Sequence, residues 1–347
     1  MTDTSPMTSS SMTPHPWRNR AAAATVLFGT LLVSATSAAQ TAPKPDWTPQ
    51  DMPSQAGRIF LVTGGTSGMG YEDAKALAAA GAQVVIAARN PERGQEAIDR
   101  IEADVPNAKL QFEAVDLASL ASVHALAQRL NRTLPKLDGL INNAAVMAPP
   151  ERGVSADGFE LQLATNYLGH FALTADLLPL LRKSDAPRVV TLSSVAIHRG
   201  RLDLDNLQSA TYDAYAAYAQ SKIACLMFAR ELQKRSDAAG WGITSIAAHP
   251  GVAVTELVAR GPGLDSAQGR QWSAMKDQLQ TAAQGAIPTL YAATAPEAQG
   301  GAYYGPTGPN EMRGPLGIAT VPATAGDAAT AARLWDATEA LIGVHFP

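Results

Sequence analysis

Residues 59–70 read Ile59-Phe60-Leu61-Val62-Thr63-Gly64-Gly65-Thr66-Ser67-Gly68-Met69-Gly70, and a helical pattern opens at Tyr71. The apolar run predicts a buried strand, and the glycines after it predict a tight turn into the helix. Such a turn lets the backbone approach a pyrophosphate, which then sits at the positive end of the helix. A glycine cluster by itself is equally a structural turn. Its position after the first strand of a series favours the nucleotide reading.

Outward from that turn, short apolar runs alternate with longer segments. Candidate strands follow at Gln83–Ala88, Lys109–Val115, Gly139–Asn142, Arg188–Ser193 and Ile243–Ala248, with a shorter one near Ala302–Tyr304. Helical patterns lie between them at Tyr71–Ala80, Pro91–Ala103, Leu120–Leu134, Phe159–Leu181 and Tyr215–Arg235. This alternation predicts an α/β fold: a single Rossmann-type, doubly wound parallel sheet of about seven strands with helices on both faces. The Gly/Pro-rich stretches Gly261–Gly269 and Tyr304–Gly317 read as loops near the site. Residues 46–347 read as one domain without internal repeats.

Composition narrows the function classes. The chain has 347 residues, 27 basic against 31 acidic, and 46% hydrophobic residues. Disorder needs lower hydrophobicity and higher net charge, and nucleic-acid binding needs a basic stripe; neither is present. The lone Cys225 excludes a disulfide framework, a cysteine zinc site and a CxxC redox pair. His124 and His345 have no partners at ligand spacing, so no metal is expected. Residues 1–45 stand apart. Arg18 and Arg20 precede an uncharged, Ala-rich stretch from Ala21 to Pro43 with the small residues Ser37-Ala38-Ala39. That order is expected of an export signal or membrane tether, giving a periplasmic or tethered protein; a later true start codon would instead give a cytoplasmic one.

The spacing of Thr63, Gly64, Gly68 and Gly70 resembles the T-G-x-x-x-G-x-G pattern of the short-chain dehydrogenase/reductase family. Asn142-Asn143-Ala144-Ala145 is similar to its N-N-A-G, and Pro250-Gly251 follows the sixth candidate strand as in the family. Asn166, Ser194, Tyr218 and Lys222 fall in the order of its catalytic tetrad. Ala88-Arg89-Asn90 and the run Asn166-Tyr167-Leu168-Gly169-His170-Phe171 resemble the retinol dehydrogenase and protochlorophyllide reductase branch. The resemblance implies an oxidoreductase acting on an alcohol or carbonyl. It further implies cofactor contacts from Gly64, Thr66, Ser67, Gly68, Met69, Gly70, Asp116, Leu117, Asn143, Ala144, Tyr218, Lys222, Pro250, Gly251 and Val252. Ala145 departs from the usual glycine.

Cofactor choice is read at the end of the second strand, where an acid would accept from the ribose 2′-hydroxyl of NAD. Here the strand ends in Arg89, whose guanidinium favours the 2′-phosphate of NADP(H) over NAD(H), with Arg93 a turn further on as a rival. Arg89 also fits a solvated surface arginine. Asp116 resembles the adenine-contacting residue, and as a bare feature fits a helix N-cap equally well.

Hydride exchange at a carbinol needs a proton acceptor or donor at its oxygen. A lysine one helical turn after a tyrosine would lower the phenol pKa. Tyr218/Lys222 and Tyr71/Lys75 both have that spacing. Tyr71 follows the phosphate turn and leads away from it, whereas Tyr218 follows the hydroxyl pair Ser193-Ser194. Strand alternation lets one serine face the substrate; the family favours Ser194, and Ser193 stays open. Asn166 is an odd amide in an apolar helix, and by resemblance it organises a water relay to Lys222. His170 and His198 could approach the pocket but read first as packed or exposed imidazoles, and Trp272, Tyr303 and Tyr304 as packing residues that could also line a cleft. The Ala-, Gly- and Gln-rich segment 250–285 predicts a roomy, mostly apolar lid, hence an apolar alcohol or carbonyl as substrate. Two other classes remain at this stage. One is a non-catalytic dinucleotide-binding redox sensor; the other is a sugar-nucleotide epimerase or dehydratase, against which Ser67 stands where a glycine is needed.

Overall fold

Ile59–Thr63 forms β1, buried along its whole length. Ile59 and Leu61 enter one apolar cluster, Phe60 and Val62 the other. That is the period of two of a strand covered on both faces. The computed structural model describes Met1 and residues 42–347. Residues 2–41, and with them most of the expected export signal, lie outside the described residues. Residues 42–347 belong to one compact unit.

The other strands are β2 (Gln83–Ala88), β3 (Lys109–Ala114), β4 (Gly139–Asn142), β5 (Arg188–Leu192), β6 (Thr244–Ala248), β7 (Tyr303–Pro306) and β8 (Leu316–Ile318). They lie in the order β3-β2-β1-β4-β5-β6-β7-β8. All neighbours are parallel except β7 and β8. The order reverses between β1 and β4, and the crevice beyond their carboxyl ends is where a doubly wound sheet binds ligands. The helices are α1 (Gly68–Ala79), α2 (Pro91–Asp104), α3 (Leu120–Thr133), α4 (Leu161–Leu163), α5 (Gly169–Leu181), α6 (Ala214–Ala239), α7 (Leu257–Arg260), α8 (Ala267–Met275), α9 (Ala282–Thr294), α10 (Ala323–Gly326) and α11 (Ala328–Ile342). α3, α5, α6 and α11 cover one face, and α1, α2 and α9 the other.

Three departures from the sequence reading matter. The sheet has eight strands, because Leu316–Ile318 pairs antiparallel with β7 inside the stretch expected to be a loop. The long helix expected over Phe159–Leu181 begins only after Glu160, whose carboxylate accepts from Gln162 N and Leu163 N. It is then interrupted by a π turn at Ala164–Leu168. The expected loop Gly261–Gly269 contains the start of α8, where Ser266 caps Gly269 N.

α1 carries one costly residue. Asp73 is fully buried, and neither carboxylate oxygen has a hydrogen-bond partner among the described residues. Burial, with the Glu72 charge adding to it, pushes the Asp73 carboxyl well above the usual range. A carboxyl raised in the folded state stabilises fully below its unfolded pKa, and that contribution is lost as pH rises through the folded value. Asp73→Asn should therefore melt higher than the wild type by an amount that grows with pH, reaching about 1–3 kcal/mol at alkaline pH. Thermal melts of both proteins across pH check this; parallel curves would contradict it.

Candidate active site

The carboxyl ends of β1, β4, β5 and β6 open into a cleft of about 1520 Å³. Its floor starts at the glycine turn. Gly64 and Gly68 have left-handed φ values of 68° and 58°. A Cβ on Gly70 would lie 2.4 Å from Asn143 Nδ2 and 2.6 Å from the Gly64 carbonyl oxygen. Ser67 precedes α1 without a side-chain cap, and Ser67, Gly68, Met69 and Gly70 all line the cleft. A concave turn that no side chain could fill, feeding an uncapped helix N-terminus, fits a pyrophosphate.

The turn is stapled to β4. Asn143 N and Ala144 N both donate to Thr63 Oγ1 at 3.0 Å, and Asn143 Nδ2 donates to the Thr63 carbonyl at 2.7 Å. The Asn143 amide thus braces the floor, while Asn143, Ala144 and Ala145 form its surface. Asp116 and Leu117 line the cleft as expected, along with Pro250, Gly251, Val252 and Thr66. The N-cap alternative for Asp116 is corrected: Ser119 caps α3, and Asp116 Oδ1 accepts from Ala118 N at 3.0 Å to hold the turn before it.

Arg89 and Arg93 both line the cleft beside the α2 N-terminus, which Asn90 caps. Arg93 is drawn to Glu256 at 3.3 Å, whereas Arg89 has no ion-pair partner among the described residues. Thr255, next to Glu256, was not singled out from the sequence. It lies over the turn: a Cβ on Gly68 would sit 3.2 Å from Thr255 Cγ2. The available signal was that Thr255 is the sole hydroxyl residue between Gly251 and Asp265.

Tyr218 and Lys222 lie one turn apart on α6, buried but lining the cleft. Burial pushes the Tyr218 phenol up to about 12, with the Ser194 hydroxyl beside it working in the opposite direction. This corrects the expected lowering by Lys222. The ammonium is 6.0 Å from the ring centroid and donates to the Leu192 carbonyl at 3.0 Å; burial lowers its own pKa. The two serines part ways. Ser193 Oγ donates back to the Lys222 carbonyl at 2.8 Å, while Ser194 sits by Tyr218 as the cap of the 3-10 helix Val195–Arg199. Tyr71 belongs to the opposite apolar cluster, with Arg100 4.2 Å above its ring, and Lys75 pairs with Asp104.

Asn166 sits in the π turn and does not line the cleft. Its amide donates to the Val146 carbonyl and Ser221 Oγ, each at 2.9 Å, and its Oδ1 accepts from Val146 N at 2.8 Å. Its main-chain carbonyl accepts from Cys225 Sγ and faces His170 Nδ1 at 2.9 Å. The Asn166 side chain thus braces Val146 against α6. His170 is buried and pushed down to about 4 by that burial, hence neutral, with Nε2 2.9 Å from Thr63 Oγ1.

The far wall holds a cluster that the sequence did not reveal. Glu311 lines the cleft; its Oε1 accepts from Thr320 N at 2.7 Å and its Oε2 faces His198 Nε2 at 3.3 Å. Buried His249 Nε2 lies 3.2 Å from the same oxygen, off the hydrogen-bond line. Glu311 sits in a Gly/Pro-rich stretch far from both histidines in sequence, so no spacing signal existed. Trp272 lines the cleft with Leu257, Val258 and Met275, whereas Tyr303 and Tyr304 are packed inside. Among the described residues no group of His, Cys, Asp and Glu could hold a metal.

With this geometry in hand, similarity to known proteins is informative. The profile of the short chain dehydrogenase family matches residues 58–261. The chain is 42% identical to polyprenol dehydrogenase of Danio rerio over 72% of this chain and 78% of that one. It is 40% identical to retinol dehydrogenase 13 of Mus musculus over 67% of each. Among solved structures, a Mycobacterium paratuberculosis protein of uncharacterised function superposes with a TM-score of 0.71 at 36% identity, covering 87% of this chain and 99% of that one. The NADP complex of Pseudomonas aeruginosa RhlG gives 0.58 at 28% identity, covering 72% and 94%. The uncapped glycine cradle, the Tyr218/Lys222 turn and these matches agree: the chain belongs to the short-chain dehydrogenase/reductase family, on its retinol dehydrogenase-like branch, and is an NAD(P)-dependent oxidoreductase.

Proposed function

We propose that the protein is an NADP(H)-dependent reductase of long, apolar carbonyl compounds of isoprenoid type, interconverting them with their alcohols. The observation that carries the reading is Tyr218, beside Ser194 and one turn from Lys222, at the floor of a cleft walled by Met147, Leu257, Val258, Trp272 and Met275. A proton-bearing acid suits carbonyl reduction, and an apolar wall suits an apolar chain. The names of the polyprenol and retinol relatives support the same substrate class.

The residues that would hold the dinucleotide are the Gly64–Gly70 turn, Asp116, Leu117, Asn143, Ala144 and Pro250–Val252, with Tyr218 and Lys222 at the nicotinamide end. Arg89, uncommitted to any carboxylate, is the candidate for the 2′-phosphate and supports NADP over NAD. When bound, the nicotinamide supplies or accepts the hydride. Ser194 would donate a hydrogen bond to the substrate oxygen as charge develops there, and Tyr218 would deliver the proton. Lys222 fixes α6 to the end of β5 through Leu192 and offers its remaining protons toward the cleft, while Asn166 is assigned a bracing part. A carbonyl and alcohol panel run with NADPH and with NADH tests the proposal: reduction of isoprenoid aldehydes with NADPH supports it, and a preference for NADH or for polar, charged substrates would overturn it.

Residues 1–45 are proposed to be an export or tethering segment, with residues 46–347 as the catalytic domain. N-terminal sequencing of the protein from its own host should find a start shortly after Ala39. A start at Met1, Met7, Met12 or Met52 would overturn export.

A further inference from the structure

We propose that His249 is a positioning residue for the nicotinamide end of the cleft: its imidazole, fixed by Glu311, holds the Gly251 amide and with it the Pro250–Val252 turn. The inference rests on the reading that this turn holds the dinucleotide. Gly251 is left-handed at φ 65°, and its buried N–H donates to His249 Nδ1 at 3.2 Å. A Cβ on Gly251 would collide with the Met312 carbonyl oxygen, to which Val252 N donates at 2.8 Å. Gln280 Nε2 donates to the Pro250 carbonyl at 2.6 Å. Pro250, Gly251, Val252 and Met312 all line the cleft, so what fixes the turn fixes part of the wall.

His249 is itself held on every side. Its main-chain N–H donates to the Tyr304 carbonyl at 2.9 Å, and its side chain has no exposed surface. Burial pushes its pKa down, with Glu311 working the other way, so the ring is neutral. A nitrogen that accepts from a main-chain amide carries no proton, which puts the ring proton on Nε2. Nε2 faces Glu311 Oε2 at 3.2 Å and has no other partner among the described residues. The carboxylate is anchored independently, since its Oε1 accepts from Thr320 N at 2.7 Å and its Oε2 also faces His198.

Two features of the surroundings show that the ring does more than fill space. A Cβ on Gly305 would collide with His249 Nε2, so β7 carries its glycine where the imidazole needs room. Glu311 reaches the ring from consecutive left-handed residues, Asn310 at φ 51° and Glu311 at φ 54°. Strained backbone of this kind persists only where its surroundings over-determine it. An apolar side chain packed at this position would need neither the glycine nor the carboxylate.

The test compares His249→Leu with His249→Asn, each titrated with NADPH and with adenosine 2′,5′-bisphosphate, which has the adenine end of the nucleotide and lacks the nicotinamide. Leucine leaves the buried Gly251 N–H without an acceptor, so NADPH affinity should fall about 10-fold while bisphosphate affinity stays that of wild type. Asparagine sets a carbonyl oxygen near the place of Nδ1 and should recover most of the loss. Glu311→Ala should show a smaller loss of the same selective kind. In assays with the isoprenoid aldehyde farnesal, the KM for NADPH should rise in step with the dissociation constant. Should His249→Leu fail to fold, His249→Gln, whose amide reaches the place of Nε2 and not Nδ1, carries the same expectation. Unchanged NADPH affinity, equal weakening of both ligands, or an asparagine variant as weak as the leucine one would overturn the proposal. A wild type that binds NADPH no more tightly than the bisphosphate would instead fail the nucleotide reading itself, and the proposal with it, before any variant is made.

Discussion

Replacing Tyr218 by phenylalanine is expected to lower turnover by roughly 10²–10⁴-fold, the worth of a positioned general acid. The ring stays in place and only the phenolic oxygen is lost, so nucleotide affinity should hardly change. Tyr71→Phe is the matched control, because Tyr71 has the same spacing to a lysine but packs in the cluster under α1 and α9. Steady-state kinetics and a nucleotide titration on both variants decide the matter. A dead Tyr71→Phe beside an active Tyr218→Phe would contradict the site.

The second large effect concerns the nucleotide. Arg89→Ala should weaken NADPH about 10- to 150-fold and leave NADH nearly unchanged, since a hydrogen bond to a charged group contributes roughly 1.5–3 kcal/mol. Arg89→Asp should go further, by repelling the phosphate and offering an acceptor to the 2′-hydroxyl. Arg93→Ala should matter less, because Glu256 already engages that guanidinium. Equilibrium titrations with both nucleotides check this. Equal weakening of NADPH and NADH would assign Arg89 to the fold instead.

Much of this was legible because local chemistry and long-range position agreed. The Ile59–Gly70 stretch announces strand, turn and helix within twelve residues, and β1, β2 and β4 form within the bounds their apolar runs suggest. Ser194 and Tyr218 meet because β5 and α6 are consecutive elements of one βαβ unit. What stayed hidden depends on partners distant in sequence. β8 is three residues in a Gly/Pro-rich stretch, and it becomes a strand only because β7 lies beside it. The π turn around Asn166 exists because Val146, Ser221 and Cys225 take up its polar groups, which no helical pattern reports. Glu311 meets His198 and His249 only when three loops converge. The Tyr218–Lys222 spacing was legible, but the burial that raises the phenol was not, because it depends on the elements packed around α6.

The most direct test of the account follows the hydrogen itself. NADPH carrying deuterium at the transferable nicotinamide position is mixed with farnesal and the wild-type protein, and the alcohol is analysed by mass spectrometry. One deuterium on the carbinol carbon, formed by wild type and lost in Tyr218→Phe, is the predicted result. Farnesol without deuterium, or equal labelling by Tyr218→Phe, would contradict it.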